Sequence, residues 1–173
     1  MHEVQGNMFD ELGRADMLCV TTNGFVKRNG HAVMGRGCAR TARDMWPGVE
    51  LQLGEHITLN GNTPCLLGSV DNTEVWSFPV KEGMGICRDD SANVVAHMRS
   101  DIGPGENVPG WALVASLSLI RESARLLKAH ADGSGFNRVV IPRAGCGAGE
   151  LTWDTVSPVL REILDDRFYV YTF

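Results

Sequence analysis

Short apolar runs alternate along this chain with segments whose hydrophobic residues recur every three or four positions, which predicts strands interleaved with helices. Residues 17–21, Met-Leu-Cys-Val-Thr, form a nearly unbroken apolar run, as suits a strand covered on both faces. Further strands are expected at 2–4, 65–70, 73–78, 138–141 and 168–171, with Asp71-Asn72 as a tight hairpin turn between two of them. The clearest helix is expected at 111–131, where Leu113, Leu117, Ile120, Ala124 and Leu127 make one stripe and Arg121, Glu122 and Arg125 fall off it. Shorter helices are expected at 38–45, 50–56 and, capped by Thr152, through about residue 164. Segments 6–10 and 79–91 read as irregular. Residues 99–110 hold so many Gly and Pro breakers that they read as an exposed loop insertion. The pattern predicts one α/β sandwich domain spanning 1–173.

Composition narrows the function. Apolar and charged residues, at 43% and 21%, are ordinary for a globular domain. The net charge of −5 excludes a general nucleic-acid binder, which would present a basic face. The five cysteines, Cys19, Cys38, Cys65, Cys87 and Cys146, include no C-x-x-C pair, so neither a metal site nor a redox pair is expected. With no apolar leader and no run long enough to span a membrane, the reading is a cytoplasmic protein with reduced thiols. We expect a monomer without a resident cofactor.

The 20 glycines are spent in particular loops. Gly35-Arg36-Gly37 precedes one helix, and Gly145-Cys146-Gly147-Ala148-Gly149 follows an apolar strand and precedes another. Such loops let main-chain N–H groups converge on phosphate oxygens at a helix N-terminus, without net positive charge. Neither has the Gly-Lys-Ser/Thr ending of a P-loop or the G-x-G-x-x-G spacing of a dinucleotide fold. Two readings stay open at this point: a phosphate cradle of another type, or two tight turns.

Four stretches in order resemble the macrodomain family, and in particular the branch of the terminal ADP-ribose protein glycohydrolase and the antitoxins that remove ADP-ribose from DNA. They are Gly6-Asn7-Met8-Phe9, Val33-Met34-Gly35-Arg36-Gly37-Cys38-Ala39 with Trp46-Pro47, Phe78-Pro79-Val80-Lys81, and Ile141-Pro142-Arg143-Ala144-Gly145-Cys146-Gly147 with Leu151-x-Trp153. The resemblance implies a three-layer α/β/α sandwich with a mixed central sheet, and an ADP-ribose cleft at the strand ends. It implies Asn7 on the adenine amino group, where the family usually has Asp, and Asn23 on the distal ribose. Met8, Thr22, Met34, Gly35, Arg36, Gly37, Arg143, Gly145, Cys146, Gly147, Ala148 and Gly149 complete the implied ligand set. Phe25 and Phe173 are the candidates to stack on adenine or cover the ribose.

For chemistry, the resemblance places Lys81 where the glycohydrolase has a nucleophilic lysine. The glycohydrolase's loop aspartate falls at Gly149 here, leaving Glu150 as the nearest carboxylate in sequence and a general acid wanting. His31, in the first loop, is a further candidate acid or base, suited to a phosphate on the distal ribose. The implied activity is hydrolysis of ADP-ribosyl linkages on protein or nucleic acid, or processing of ADP-ribose 1''-phosphate. The alternative is a non-catalytic reader or sequestering protein for ADP-ribose or a related NAD-derived signal.

Overall fold

A computed structural model describes residues 1–172, so Phe173 lies outside the described residues. The fold is set by alternation along strand β2 (Met17–Asn23). Leu18 and Val20 pack to one side with Ala39, Ala42 and Leu53, whereas Met17 and Cys19 pack to the other with Ile120, Ala124, Leu127 and Leu160. A strand buried on both faces needs a helical layer on each. Helices α1 (Gly37–Met45) and α2 (Val49–Asn60) cover the first face, and α3 (Leu117–Ser134) and α4 (Trp153–Arg161) cover the second.

The other strands of the main sheet are β1 (His2–Gln5), β3 (Leu66–Val70), β4 (Thr73–Lys81), β7 (Val139–Pro142) and β8 (Phe168–Thr172). Their order is β1-β8-β7-β2-β4-β3; all neighbours are parallel except the hairpin pair β3 and β4. The mixed sheet between two helical layers is the three-layer α/β/α sandwich that the resemblance implies. No helix among the described residues is long and apolar enough to cross a membrane.

Several boundaries differ from the sequence reading. The long helix begins at Leu117, not at 111, because Ser116 caps it by accepting a hydrogen bond from the Leu119 N–H, and Leu113 packs elsewhere. At its far end the chain runs through Gly133 and stops at Gly135, which adopts a left-handed cap. The helix expected at 50–56 extends from Val49 to Asn60. Residues 6–10 are not an open loop: Met8–Glu11 make a 3-10 turn capped by Asn7. Strand β4 runs through Pro79 to Lys81. Its hairpin partner β3 pairs only as far as Trp76, so the strand has a free edge there that tolerates proline.

The largest difference lies between β4 and α3. Residues 82–116 form a strap in which β5 (Met84–Ile86) pairs antiparallel with β6 (Asn107–Pro109). Beneath them Cys87, Val94, Val95, Ile102 and Val108 build a third, small core. The breakers of 99–110 shape its turns and do not leave it without structure.

Candidate functional site

The sheet determines where a cleft can form. β2 leads to α1 on one face, and its parallel neighbour β7 leads to α4 on the other. Loops leaving adjacent strands in opposite directions open a crevice at their carboxyl ends, where α/β sheets hold ligands. A cavity of about 540 Å3 lies there. The ends of β2, β4, β7 and β8 contribute Asn23, Lys81, Pro142 and Thr172, and both glycine loops form its walls.

Each loop presents free main-chain donors. The α1 N-terminus at Arg36 has no side-chain cap, and its first amides, on Gly37, Cys38 and Ala39, are the orphan donors of a helix end. Among the described residues, the N–H groups of Gly147, Ala148 and Gly149 donate to no carbonyl or side chain, whereas those of Cys146, Glu150 and Leu151 close turns on Arg143, Gly147 and Gly145. Two glycines make this second loop possible. Gly145 has a φ of +75°, and a Cβ on Gly149 would stand 2.4 Å from the Gly145 carbonyl oxygen and 2.7 Å from the Ala115 Cβ. No side chain fits at 149.

Lys81 ends β4 and is only 6% exposed. Its backbone is held by the Gly24 N–H at 3.1 Å and the Asn62 amide at 2.9 Å, both donating to the Lys81 carbonyl. Its Nζ donates to the carbonyls of Ala148 at 2.7 Å and Trp111 at 3.1 Å. Burial lowers its pKa to about 8, with the Arg36 charge adding to the drop and Glu150 opposing both. A neutral amine has two N–H bonds and one lone pair. With both N–H bonds taken by carbonyls, the lone pair is left for the cavity that Lys81 lines.

The remaining candidates divide. Thr22, Asn23, Gly35, Arg36, Gly37, Arg143, Gly145, Cys146, Gly147, Ala148 and Gly149 line the cavity with Lys81. Of three buried side-chain atoms without a partner among the described residues, two belong to this lining, Thr22 Oγ1 and Arg143 Nε. Buried polar atoms are normally paired, so these are available to a ligand. Arg143 lies 5.0 Å over the Trp153 ring and pairs with Glu3 at 3.0 Å. Asn23 is oriented by the loop: its amide donates to the Val33 carbonyl and accepts from the Phe25 N–H, which leaves its second N–H and second oxygen lone pair unused. The Cys146 thiol is pushed up by burial, away from thiolate chemistry.

Other candidates stand apart from the cavity lining. Asn7 is exposed and spends its oxygen on the Phe9 N–H. Met8 and Met34 are core residues, 0% and 1% exposed. Phe25 and His31 are absent from the lining, and His31 sits in the 27–31 turn. Phe173 falls outside the described residues. Glu150 does not line the cavity with Lys81, although its charge acts on that amine. Its carboxylate accepts the Ala96 N–H at 2.9 and 3.1 Å, fastening the strap to the second loop. It lines only an outer vestibule that shares both loops with the cavity and adds Arg40.

Sequence reading missed His97 and Trp111, which the strap brings to the cavity. Nothing local marks His97, and Trp111 reads as the start of a helix. Cys38, with its Sγ 3.2 Å from Thr21 Oγ1, and Tyr171 also contribute to the lining.

No protein-family model matches the sequence. Over 56 residues the chain is 36% identical to an ADP-ribose glycohydrolase, OARD1, of Bos taurus; the match spans 31% of this chain and 37% of the bovine protein. Among solved structures, Thermosipho africanus DarTG in complex with ADP-ribose matches with a TM-score of 0.66 at 20% identity, over 98% of this chain and 41% of that one. The macrodomain of Thermus aquaticus DarG also matches with a TM-score of 0.66, at 16% identity, over 99% of this chain and 96% of that one. The sheet order, the cleft at its switch point and these likenesses agree: this chain has the macrodomain fold.

Proposed function

We propose that the cleft binds ADP-ribose, free or attached to a protein or nucleic acid, and that Lys81 attacks the anomeric carbon to release it. The observation that carries this reading is the cavity itself, in which two sets of unpartnered loop amides flank a buried lysine. The amides suit a pyrophosphate, since they bring partial positive charge without a desolvated cation. The lysine suits nucleophilic attack, because burial leaves part of it neutral near physiological pH. The phosphatase reading draws on His31, which is not among the residues lining the cavity.

The experiment pairs calorimetry with a release assay on ADP-ribosylated protein and DNA. The wild type is expected to bind ADP-ribose and release it from at least one substrate. Lys81→Ala is expected to lower release at least about 100-fold, with ADP-ribose affinity changed only a few-fold. Release untouched by the substitution removes the lysine step.

A second reading, a reader that binds without turnover, draws on Gly149 and Glu150. The first leaves no space for an acid, and the second is spent on the strap. Tight binding without release from any substrate selects it.

A further inference from the structure

The hydrolytic reading, on which this inference rests, lacks one component. When the anomeric bond breaks, its electron pair moves to the departing atom, and an alkoxide departs slowly unless a proton meets it. The second loop offers no such proton: position 149 has no space for a side chain, and the Glu150 carboxylate already accepts two contacts from one N–H. The strap offers an alternative. We propose that His97, carried over the cleft by residues 82–116, is the proton donor to the group leaving the anomeric carbon.

Three observations place it there. First, His97 lines the same cavity as Lys81 and also the outer vestibule, so its side chain borders both spaces. Second, its position is tied to the lysine through short links. Lys81 Nζ donates to the Trp111 carbonyl, the next carbonyl, of Ala112, accepts the Val95 N–H at 2.9 Å, and Val95 is buried two residues before His97. Third, Glu150 grips the Ala96 N–H, immediately before His97, and Ala148, two residues before Glu150, takes the second Lys81 hydrogen bond. The strap and the second loop therefore fix lysine and histidine in one frame. Glu150 is then a positioning residue.

The step balances. The neutral Lys81 amine donates its lone pair to the anomeric carbon as the bond from that carbon to the target oxygen breaks. The imidazolium of His97 gives its proton to that oxygen, and the target leaves as an alcohol. The neutral imidazole takes the extra proton from the alkylated amine. The imidazolium then returns that proton to the nitrogen as water attacks the anomeric carbon and the carbon–nitrogen bond breaks; the imidazole takes a proton from the attacking water, ADP-ribose is released and Lys81 leaves as the neutral amine.

The test compares two substrates: ADP-ribose esterified to a carboxylate, a weakly basic leaving group, and ADP-ribose joined to an alcohol. His97 is exposed, so His97→Ala and His97→Gln leave the core alone, and unchanged melting temperatures check that. Both variants are expected to lose about 100-fold or more in kcat on the alcohol-linked substrate, but less than about 3-fold on the ester. Their affinity for ADP-ribose is expected to stay within about 3-fold, and Glu150→Ala is expected to show the same selectivity in weaker form. Equal losses on both substrates, or none, overturn the assignment while leaving the lysine reading intact. A wild type that cleaves only the ester also overturns it, since no proton is then being supplied. A wild type that cleaves neither removes the hydrolytic reading and this inference together.

Discussion

Lys81 and Gly149 together give the site its character, and each makes a prediction that needs no substrate. A folded-state amine near 8 against 10.5 in the unfolded chain costs the native protein about 3 kcal/mol below pH 8. Between those values the unfolded chain binds the extra proton, so that cost disappears as pH rises. Urea denaturation of wild type and Lys81→Met is expected to show the wild type gaining stability relative to the variant from pH 8 to about 10.5. A constant difference would mean the amine is not held neutral by burial. At 149 the Cβ contacts of 2.4 and 2.7 Å leave no slack. Gly149→Asp, the substitution that would restore the glycohydrolase's acid, is expected to destabilise the fold by about 2–3 kcal/mol and to add no turnover. Gly147→Ala meets nothing within 4 Å. It is expected to change stability by less than about 0.5 kcal/mol while weakening ADP-ribose binding, because its methyl group would project beside the free amides.

At the scale of elements, the parts that were legible in the sequence are those fixed by local pattern. The apolar run of β2, the Asp71-Asn72 hairpin and the strand-loop-helix order around 145–149 all carry their own signals. The strap does not, because its core is assembled from single apolar residues spread among breakers, with no period to detect. The same reason hides His97: only the tertiary fold brings residue 97 to the cavity that Lys81 lines. Asn23 and Asn7, whose ligand roles the resemblance implies, each also accept a main-chain N–H two residues on, a local turn bond that residue type alone suggests. The Glu150 link gives the strap a measurable anchor. Glu150 has a φ of 60°, uncommon for a residue with a side chain, and the strap bond compensates for that conformation. Glu150→Ala is expected to raise amide hydrogen exchange at 96–98 at least about tenfold while leaving α3 protected. Unchanged exchange there would mean the strap is held without it.

For the molecule as a whole, an acidic chain is read as holding a doubly charged ligand. The net charge of −5 works against long-range attraction of an anion. On the proposed reading, binding comes from the short-range geometry of the loops at the switch point, where backbone dipoles line a cavity of about 540 Å3. That volume falls within the range of small-molecule sites. The likeness to DarTG bound to ADP-ribose extends over 98% of this chain, yet at 20% identity it speaks for the fold and not the ligand. The most direct measurement is a calorimetric titration of the full chain with ADP-ribose at neutral pH. Saturable one-to-one binding that weakens when Gly147 becomes alanine is expected. No heat, and no thermal stabilisation, up to about 1 mM ADP-ribose would contradict an ADP-ribose site in this cleft.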